Sequence, residues 1–494
     1  MLEKYLEKNI YRKIVLLEAL YKYEKIDITH YIEIFEAFPT TVQNDLEDLV
    51  QTLDIYILSY EKQKKYFYVE FNKDIPLFEI RKIIYQQSLF LKTCTKFLEQ
   101  QFNYLDLVEE EFISVSKAYN LKKKAEAFFS ACHLDFENER LNSSEFETRF
   151  LYLYYLTKID LNYETNQTIE FEEACEDMLD LIEHEFSTRV YTEESRYFIL
   201  QGMNIAYSRQ DKEKLELEEK VIVDLKKRPI FKLVEQAWKS LNMERFLPEH
   251  EIVYVVSLFN SCEYSFSQLE NLFEDHEKLR STFLVGRPDI IRLIQYFEEE
   301  FDQILLGDFS FEEGIIRLTR NAWYNHQVLV HGSFYTLHPK NEELFQRIVK
   351  VLFKWGQGIK NLLVIDTNLI YRFIDEAGPI LMQEKLLFRL KIVTDSDSKF
   401  LLYQSKFSEF NVFDIVVENK FYRSIYEVEG YDQSIRNEYI FCEEALIPSV
   451  LEDHPHIIPI SVDMLLDHSF LLVCMKPYQH FMEVHNTSYI NGVK

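Results

Sequence analysis

Residues 26–53, IDITHYIEIFEAFPTTVQNDLEDLVQTL, decide the reading of the N-terminal half. Ile28, Ile32 and Phe35 form the inner stripe of a short helix, and Val42, Leu46, Leu49 and Leu53 recur along one face of a longer one. Residues 36–39 make the turn between them. Pro39 suits the first turn of the second helix, where a missing N–H leaves no bond unmade. The outer face of that helix presents Thr40, Thr41, Gln43, Asn44 and Glu47. Short polar side chains there reach base edges and phosphates if the helix lies in a major groove. A helical hairpin with a solvated face carries the same pattern, so one copy alone does not discriminate. Residues 54–71 then alternate apolar and polar around Glu61-Lys62-Gln63-Lys64, which predicts a β-hairpin whose tip offers Lys62, Lys64 and Lys65.

A second version of the pattern follows. Residues 104–111 predict a short helix, Phe112-Ile113-Ser114 a turn, and Ser114 a capping residue. The next helix has Ala118, Leu121, Ala125 and Phe128 on one face. Ser116, Lys117, Asn120, Lys123 and Lys124 project on the other, beside Lys122, with Tyr119 either in the core or on the outer surface. A basic outer face is what phosphate contact requires. Two helix-turn-helix units in tandem make double-stranded DNA the expected partner. The second helix of the second unit is the stronger reader, because the first has no basic residue near Thr40.

Three segments carry a family resemblance. Thr41, Val42, Asp45, Leu46 and Leu49 fit a T-hydrophobic-x-x-D-L-x-x-L recognition helix, and Phe112-Ile113-Ser114 an F-I-S turn. Residues 143–150, SSEFETRF, fit a G/S-x-E-x-x-x-R-[FY] segment. In this order and spacing the chain resembles the Mga/AtxA family of Gram-positive virulence regulators over nearly its whole length. The resemblance implies a mainly α, multidomain protein. Its parts are winged helix-turn-helix domains at 1–75 and 76–160, PTS-regulation (PRD)-like helical bundles at 161–265 and 266–358, and an EIIB-like α/β dimerisation domain at 359–494. It implies a cytoplasmic transcription activator acting as a homodimer on A+T-rich promoter DNA, with the phosphocarrier protein of the sugar phosphotransferase system as a further partner.

Composition fits that outline and adds one objection. A chain of 494 residues is too long for a single core. Ten glycines and eleven prolines beside 47% apolar residues predict a mostly helical protein. There is no apolar run long enough to span a bilayer, and the N-terminal residues lack the pattern of a signal peptide. The six cysteines are scattered without CxxC spacing, as reduced thiols are, and no His or Cys pair has metal-finger spacing. The objection is the net charge of −28, because DNA-binding proteins usually carry a basic footprint. Acid is heaviest in the middle of the chain, as at 170–185 and 298–300, whereas 81–124 is close to neutral and ends in three lysines. The local field at the contact surface matters more than the sum.

From residue 161 the chain reads as two successive sets of amphipathic helices, separated by the polar stretch 260–267. In the first set Arg196 and Leu258 stand where relatives carry phosphoacceptor histidines, and His184 and His250 read as ordinary surface histidines. In the second set His326, His331 and His338 cluster in NHQVLVHGSFYTLHPK, as phosphoacceptors or as a polar loop between helices. From residue 360 the period shortens. Residues 361–366, 388–394 and 413–418 predict strands of an α/β sheet, followed by 439–442, 457–462 and 470–475. A catalytic EIIB domain carries its cysteine after the first strand. Here Thr367-Asn368-Leu369 follow it, so the domain reads as structural and the chain as no enzyme, with no cofactor or metal. The main rival is a helical scaffold that has lost DNA binding, which the −28 charge favours. A phosphotransfer enzyme and an RNA-binding antiterminator are further rivals.

Overall fold

The computed structural model describes residues 2–98, 103–132, 134–137, 140–160, 167–185, 188–212, 215–217, 219–320, 341–359, 365–382, 388–409, 415–431, 438–452, 454–466, 469, 472–473 and 475–477. The chain divides into two compact units, Met1–Leu381 and Met382–Lys494. It is mainly helical, with a parallel four-stranded sheet near the C-terminus.

The first unit opens with α1 (Lys8–Tyr23), β1 (Lys25–Asp27), α2 (Ile28–Ile34) and α3 (Pro39–Thr52), then β2 (Ile57–Lys62) and β3 (Tyr66–Phe71). The three strands form an antiparallel sheet in the order β1-β3-β2, with Lys62 opposite Phe67. Each choice has a local cause. Asp27 caps α2 by accepting from Thr29 N–H at 2.9 Å, and Pro39 occupies the first turn of α3. Val42, Leu46, Leu49 and Leu53 are fully buried against α1. So is most of Asp45, which meets Arg12 of α1 through Nη2 and Oδ1 at 3.2 Å. The aspartate of the T-hydrophobic-x-x-D-L motif therefore fastens the helix to its neighbour.

Next come α4 (Leu77–Tyr85), α5 (Leu89–Leu98), α6 (Tyr104–Glu110), α7 (Val115–Ala131), β4 (Asp135–Glu137) and β5 (Arg140–Asn142). Asn103 caps α6 and Ser114 caps α7, whose side chain accepts from Lys117 N–H at 3.3 Å. In α8 (Glu145–Ile159) a reciprocal capping box joins Ser144 and Glu147. Glu145 and Arg149, from the E-x-x-x-R segment, form a buried ionic cluster. Arg149 Nε donates to Glu145 at 2.8 Å and Nη2 to Glu251 at 3.0 Å, while Arg209 Nη2 donates to Glu145 at 2.6 Å. Two cations and two anions balance there, which is the condition for keeping such charges out of water.

The first bundle comprises α9 (Ile169–Asp180), β6 (Arg189–Tyr191), α10 (Glu193–Arg209), α11 (Glu219–Lys226), α12 (Pro229–Ser240), α13 (Ile252–Ser261) and β7 (Tyr264–Phe266), with β6 and β7 paired antiparallel. One continuous hydrophobic cluster runs from Leu2 to Cys262, so the three segments read from sequence as 1–75, 76–160 and 161–265 share a core. Arg81 of α4 crosses that body, bound to Glu18 of α1 at 2.6 Å and to Glu194 of α10. Beside it the Lys158 amine lies over the rings of Tyr85 and Tyr154, and burial lowers its pKa to about 8.

A separate cluster, Leu279 to Leu381, belongs to the second bundle: α14 (Leu269–Leu279), α15 (Pro288–Phe301), α16 (Phe309–Thr319), α17 (Glu342–Gly356) and α18 (Thr367–Leu381). This corrects the sequence reading at two points. Thr367-Asn368-Leu369 start a helix instead of forming a loop after a strand. That helix packs with α16 and α17, although the sequence placed it in an α/β domain beginning at 359. The reason is its stripe Ile370, Phe373, Ile374, Ala377 and Leu381, which is buried in the bundle. Most of the strand expected at 361–366 lies outside the described residues.

The second unit has β8 (Phe388–Val393), α19 (Asp397–Glu409), β9 (Ile415–Tyr422), β10 (Glu438–Glu443), β11 (Ile457–Ile460) and α20 (Asp463–Leu466). The strands run parallel in the order β11-β10-β8-β9. Tyr439 and Phe441 enter one hydrophobic cluster and Ile440 and Cys442 another, so both faces of the sheet are covered. The strand expected at 470–475 is corrected: its described residues, 472, 473 and 475, are helical.

Candidate nucleic-acid interface

The two helical hairpins, α2–α3 and α6–α7, are built alike. Each begins with a seven-residue helix capped by Asp27 or Asn103. Each turn contains a left-handed non-glycine residue, Glu36 at φ 48° and Phe112 at φ 51°. Each then leaves a phenylalanine in solvent: Phe38 is 78% and Phe112 94% exposed. What the second helices present differs.

On α7 Ser116, Lys117, Asn120 and Lys123 are exposed on one continuous face, with Ala118, Leu121, Ala125 and Phe128 buried opposite. Lys117 has no carboxylate partner among the described residues, and Lys123 lies over the Tyr119 ring at 4.8 Å. Lys124 is half-buried with its amine toward the Phe90 ring at 5.6 Å, at the flank of this face. Lys122 is drawn to Glu126 at 3.8 Å. The acidic end of α6 is answered from α5: Lys92 meets Glu111 and Lys96 meets Glu110, both at 2.9 Å. Tyr119, 43% exposed, packs edge-on against Tyr104 and serves as a partly apolar platform between the lysines.

On α3 the exposed residues are Thr40, Asn44, Glu47, Asp48 and Gln51, while Thr41 and Gln43 are half-buried. The helix has no lysine or arginine. Two of the three hairpin lysines are turned toward acid: Lys62 binds Glu47 at 2.6 Å and Lys65 binds Asp27 at 2.9 Å. Lys64 is exposed with no carboxylate partner among the described residues. Such exposed pairs are weak, because water screens them. The negative charge of Glu47 remains after its pair is broken and opposes a phosphate backbone, whereas Asp48 is paired with Lys13 of α1. The β2 strand adds exposed Leu58 and Tyr60, an apolar rather than a basic surface.

His326, His331 and His338 lie outside the described residues. Arg196, standing where the family resemblance places a histidine, is locked among acids: it binds Glu183, Glu176 at 3.0 Å and Asp180 at 3.1 Å. Asp180, Glu183 and His184 bring donor atoms within 4.8 Å of one another, but the guanidinium already supplies their positive charge. Leu258 is fully buried over Gly202. In the second unit Glu443, the last residue of β10, binds Lys399 at 3.1 Å and accepts from Tyr403 at 3.4 Å. The first described strand, β8, is followed by Thr394, Asp395 and Ser396, so the loop that follows it has no thiol. Sequence reading missed Glu47 as the partner of Lys62, since nothing in the spacing of 15 residues reports it. It named Phe112 as part of the turn but said nothing of its side chain, which lies in solvent.

No protein-family model matches the chain, and no curated protein does either.

Proposed function

We propose that the chain is a DNA-binding transcription regulator of the Mga type, with α7 as its reader. The observation that carries this is the exposed face Ser116, Lys117, Asn120 and Lys123, whose lysines have no carboxylate partner among the described residues. A free ammonium on a helix projecting from a capped turn supplies the phosphate contact, and Asn120 and Ser116 the short polar groups able to reach base edges. The order helix–strand–helix–helix–strand–strand from α1 to β3 is that of a winged helix, which supports the same reading. The two helical bundles stand as PRD-like sensors. The doubly covered parallel sheet stands as an EIIB-like domain for dimerisation, which would raise DNA affinity by presenting two readers at once. Activation rather than repression, and promoter DNA rich in A+T, follow from the family resemblance alone. So does control by the phosphocarrier protein; it would act through His326, His331 or His338, and phosphoryl transfer that labels none of them would remove it.

The test is binding of the purified full chain to a labelled A+T-rich duplex at low and at physiological salt. Binding that weakens steeply with salt agrees with the proposal. No binding at low salt favours the second reading, a helical scaffold, which the acidic α3 face and the net charge of −28 support.

A further inference from the structure

The surface around the α6–α7 turn is apolar as well as basic. Phe112, Val115 and Tyr119 are all exposed. Val115, Tyr119 and Lys123 follow one another at four-residue spacing, so they form one ridge along the outer face of α7. Phe112 precedes that ridge by three residues, in the turn before the Ser114 cap, at φ 51°. Bulky side chains rarely adopt this left-handed backbone. Here it gains no burial, since the ring lies in solvent. A single exposed apolar residue needs no account, but three together on a face that also carries lysines do.

The cations narrow what this face can meet. Lys123 lies over the Tyr119 ring at 4.8 Å, so ring and ammonium are presented together, and Lys117, Ser116 and Asn120 are exposed on the same helix. An apolar ridge flanked by ammonium groups fits a surface that is anionic at its rims and carries apolar groups within. The major groove of B-DNA is such a surface: phosphates line it, and the 5-methyl of thymine is the apolar group that its base edges present. Phe38, the counterpart on the first hairpin, is also a ring in solvent, but α3 has no lysine or arginine to hold it against phosphates.

We infer, on the reading of α7 as the DNA-contacting helix, that Phe112, Val115 and Tyr119 contact thymine methyl groups in the major groove and set a preference for thymine within the site. Lysine–phosphate contacts give affinity without sequence information, whereas a methyl group covered by a phenyl or isopropyl group is lost when the base changes.

The test is fluorescence anisotropy of the full chain with one duplex synthesised twice, with thymine and with uracil in its place. The exchange removes the methyls and keeps every phosphate and base-pairing group. The wild type is expected to bind the thymine duplex about fourfold tighter for each methyl contacted, as for burial of one methyl group. The salt slope should be the same for both duplexes, because no charge differs. Phe112→Gly with Val115→Ala is expected to bring the ratio of the two affinities toward one and leave the slope unchanged. Both replacements suit their backbone, glycine at the left-handed turn and alanine in the helix. Equal affinity of the wild type for the two duplexes overturns the inference and leaves α7 on DNA. A ratio that persists in the double variant overturns it too, because the preference then belongs to the shape of the DNA. Binding to neither duplex at low salt removes the DNA-binding reading itself, and the thymine contact with it.

Discussion

α3 and α7 close two helical hairpins of the same construction, and they differ in what lies outside the core. At the position three residues after the first buried residue, α3 buries Asp45 against Arg12 whereas α7 buries Leu121. Outside, α3 shows Glu47 and Asp48, and α7 shows Lys117 and Lys123. The fold of such a helical hairpin is set by its buried stripe and its caps. Its affinity for a polyanion is set by a few exposed side chains that the fold does not constrain. A repeated scaffold therefore does not imply a repeated function, and a net charge of −28 does not settle what one helix face can bind.

The comparison supposes that both hairpins are mounted on one body. The largest expected effect tests this. Arg149→Met leaves Glu251 buried without its guanidinium and should cost about 3–5 kcal/mol. Thermal unfolding followed by hydrogen exchange should show both hairpins losing protection together; survival of one would separate them. Next, Lys117→Ala with Lys123→Ala should lower DNA affinity by about 30- to 100-fold, whereas Thr40→Ala with Asn44→Ala should change it less than about twofold. Fluorescence anisotropy with one duplex checks both, and equal losses would erase the distinction between the hairpins.

A third expectation concerns the shared body. Lys158 has a folded pKa of about 8, below the 10.5 of an ordinary lysine. Between those values the unfolded chain holds more protons, so stability contributed by this group rises as pH increases from about 8 to 10.5. Below about 8 its charge opposes folding. Lys158→Met should therefore stabilise the protein at neutral pH, by on the order of 1–3 kcal/mol. Paired melting curves should converge as the pH is raised through that window, and a constant difference would contradict the assignment. The smallest effect is expected from Glu47→Lys, which reverses one charge on α3 and frees Lys62. Affinity for DNA should rise about threefold to tenfold, and no change would mean that α3 faces away from the backbone.

Much of this was legible in the sequence because it is periodic. The stripes at 42–53 and 118–128, the Ser114 and Ser144 caps, the hairpin at 57–71 and the strands at 388–393, 438–443 and 457–460 follow spacing and turn chemistry. What escaped depends on side chains distant in sequence. Asp45 resembles the residues around it until Arg12 is seen beside it. The chemistry of Lys62 is altered by Glu47 across the hairpin. The stripe of α18 is equally suited to a bundle or to the flank of a sheet, so sequence alone placed it with the wrong neighbours.

The most direct test is the salt dependence of DNA affinity for the wild type, for Lys117→Ala/Lys123→Ala and for Asn44→Ala/Gln51→Ala. If α7 is the reader, the slope of log affinity against log salt should become shallower by about 2 in the lysine variant and stay unchanged in the α3 variant. An unchanged slope in the lysine variant would contradict the assignment of DNA contact to α7.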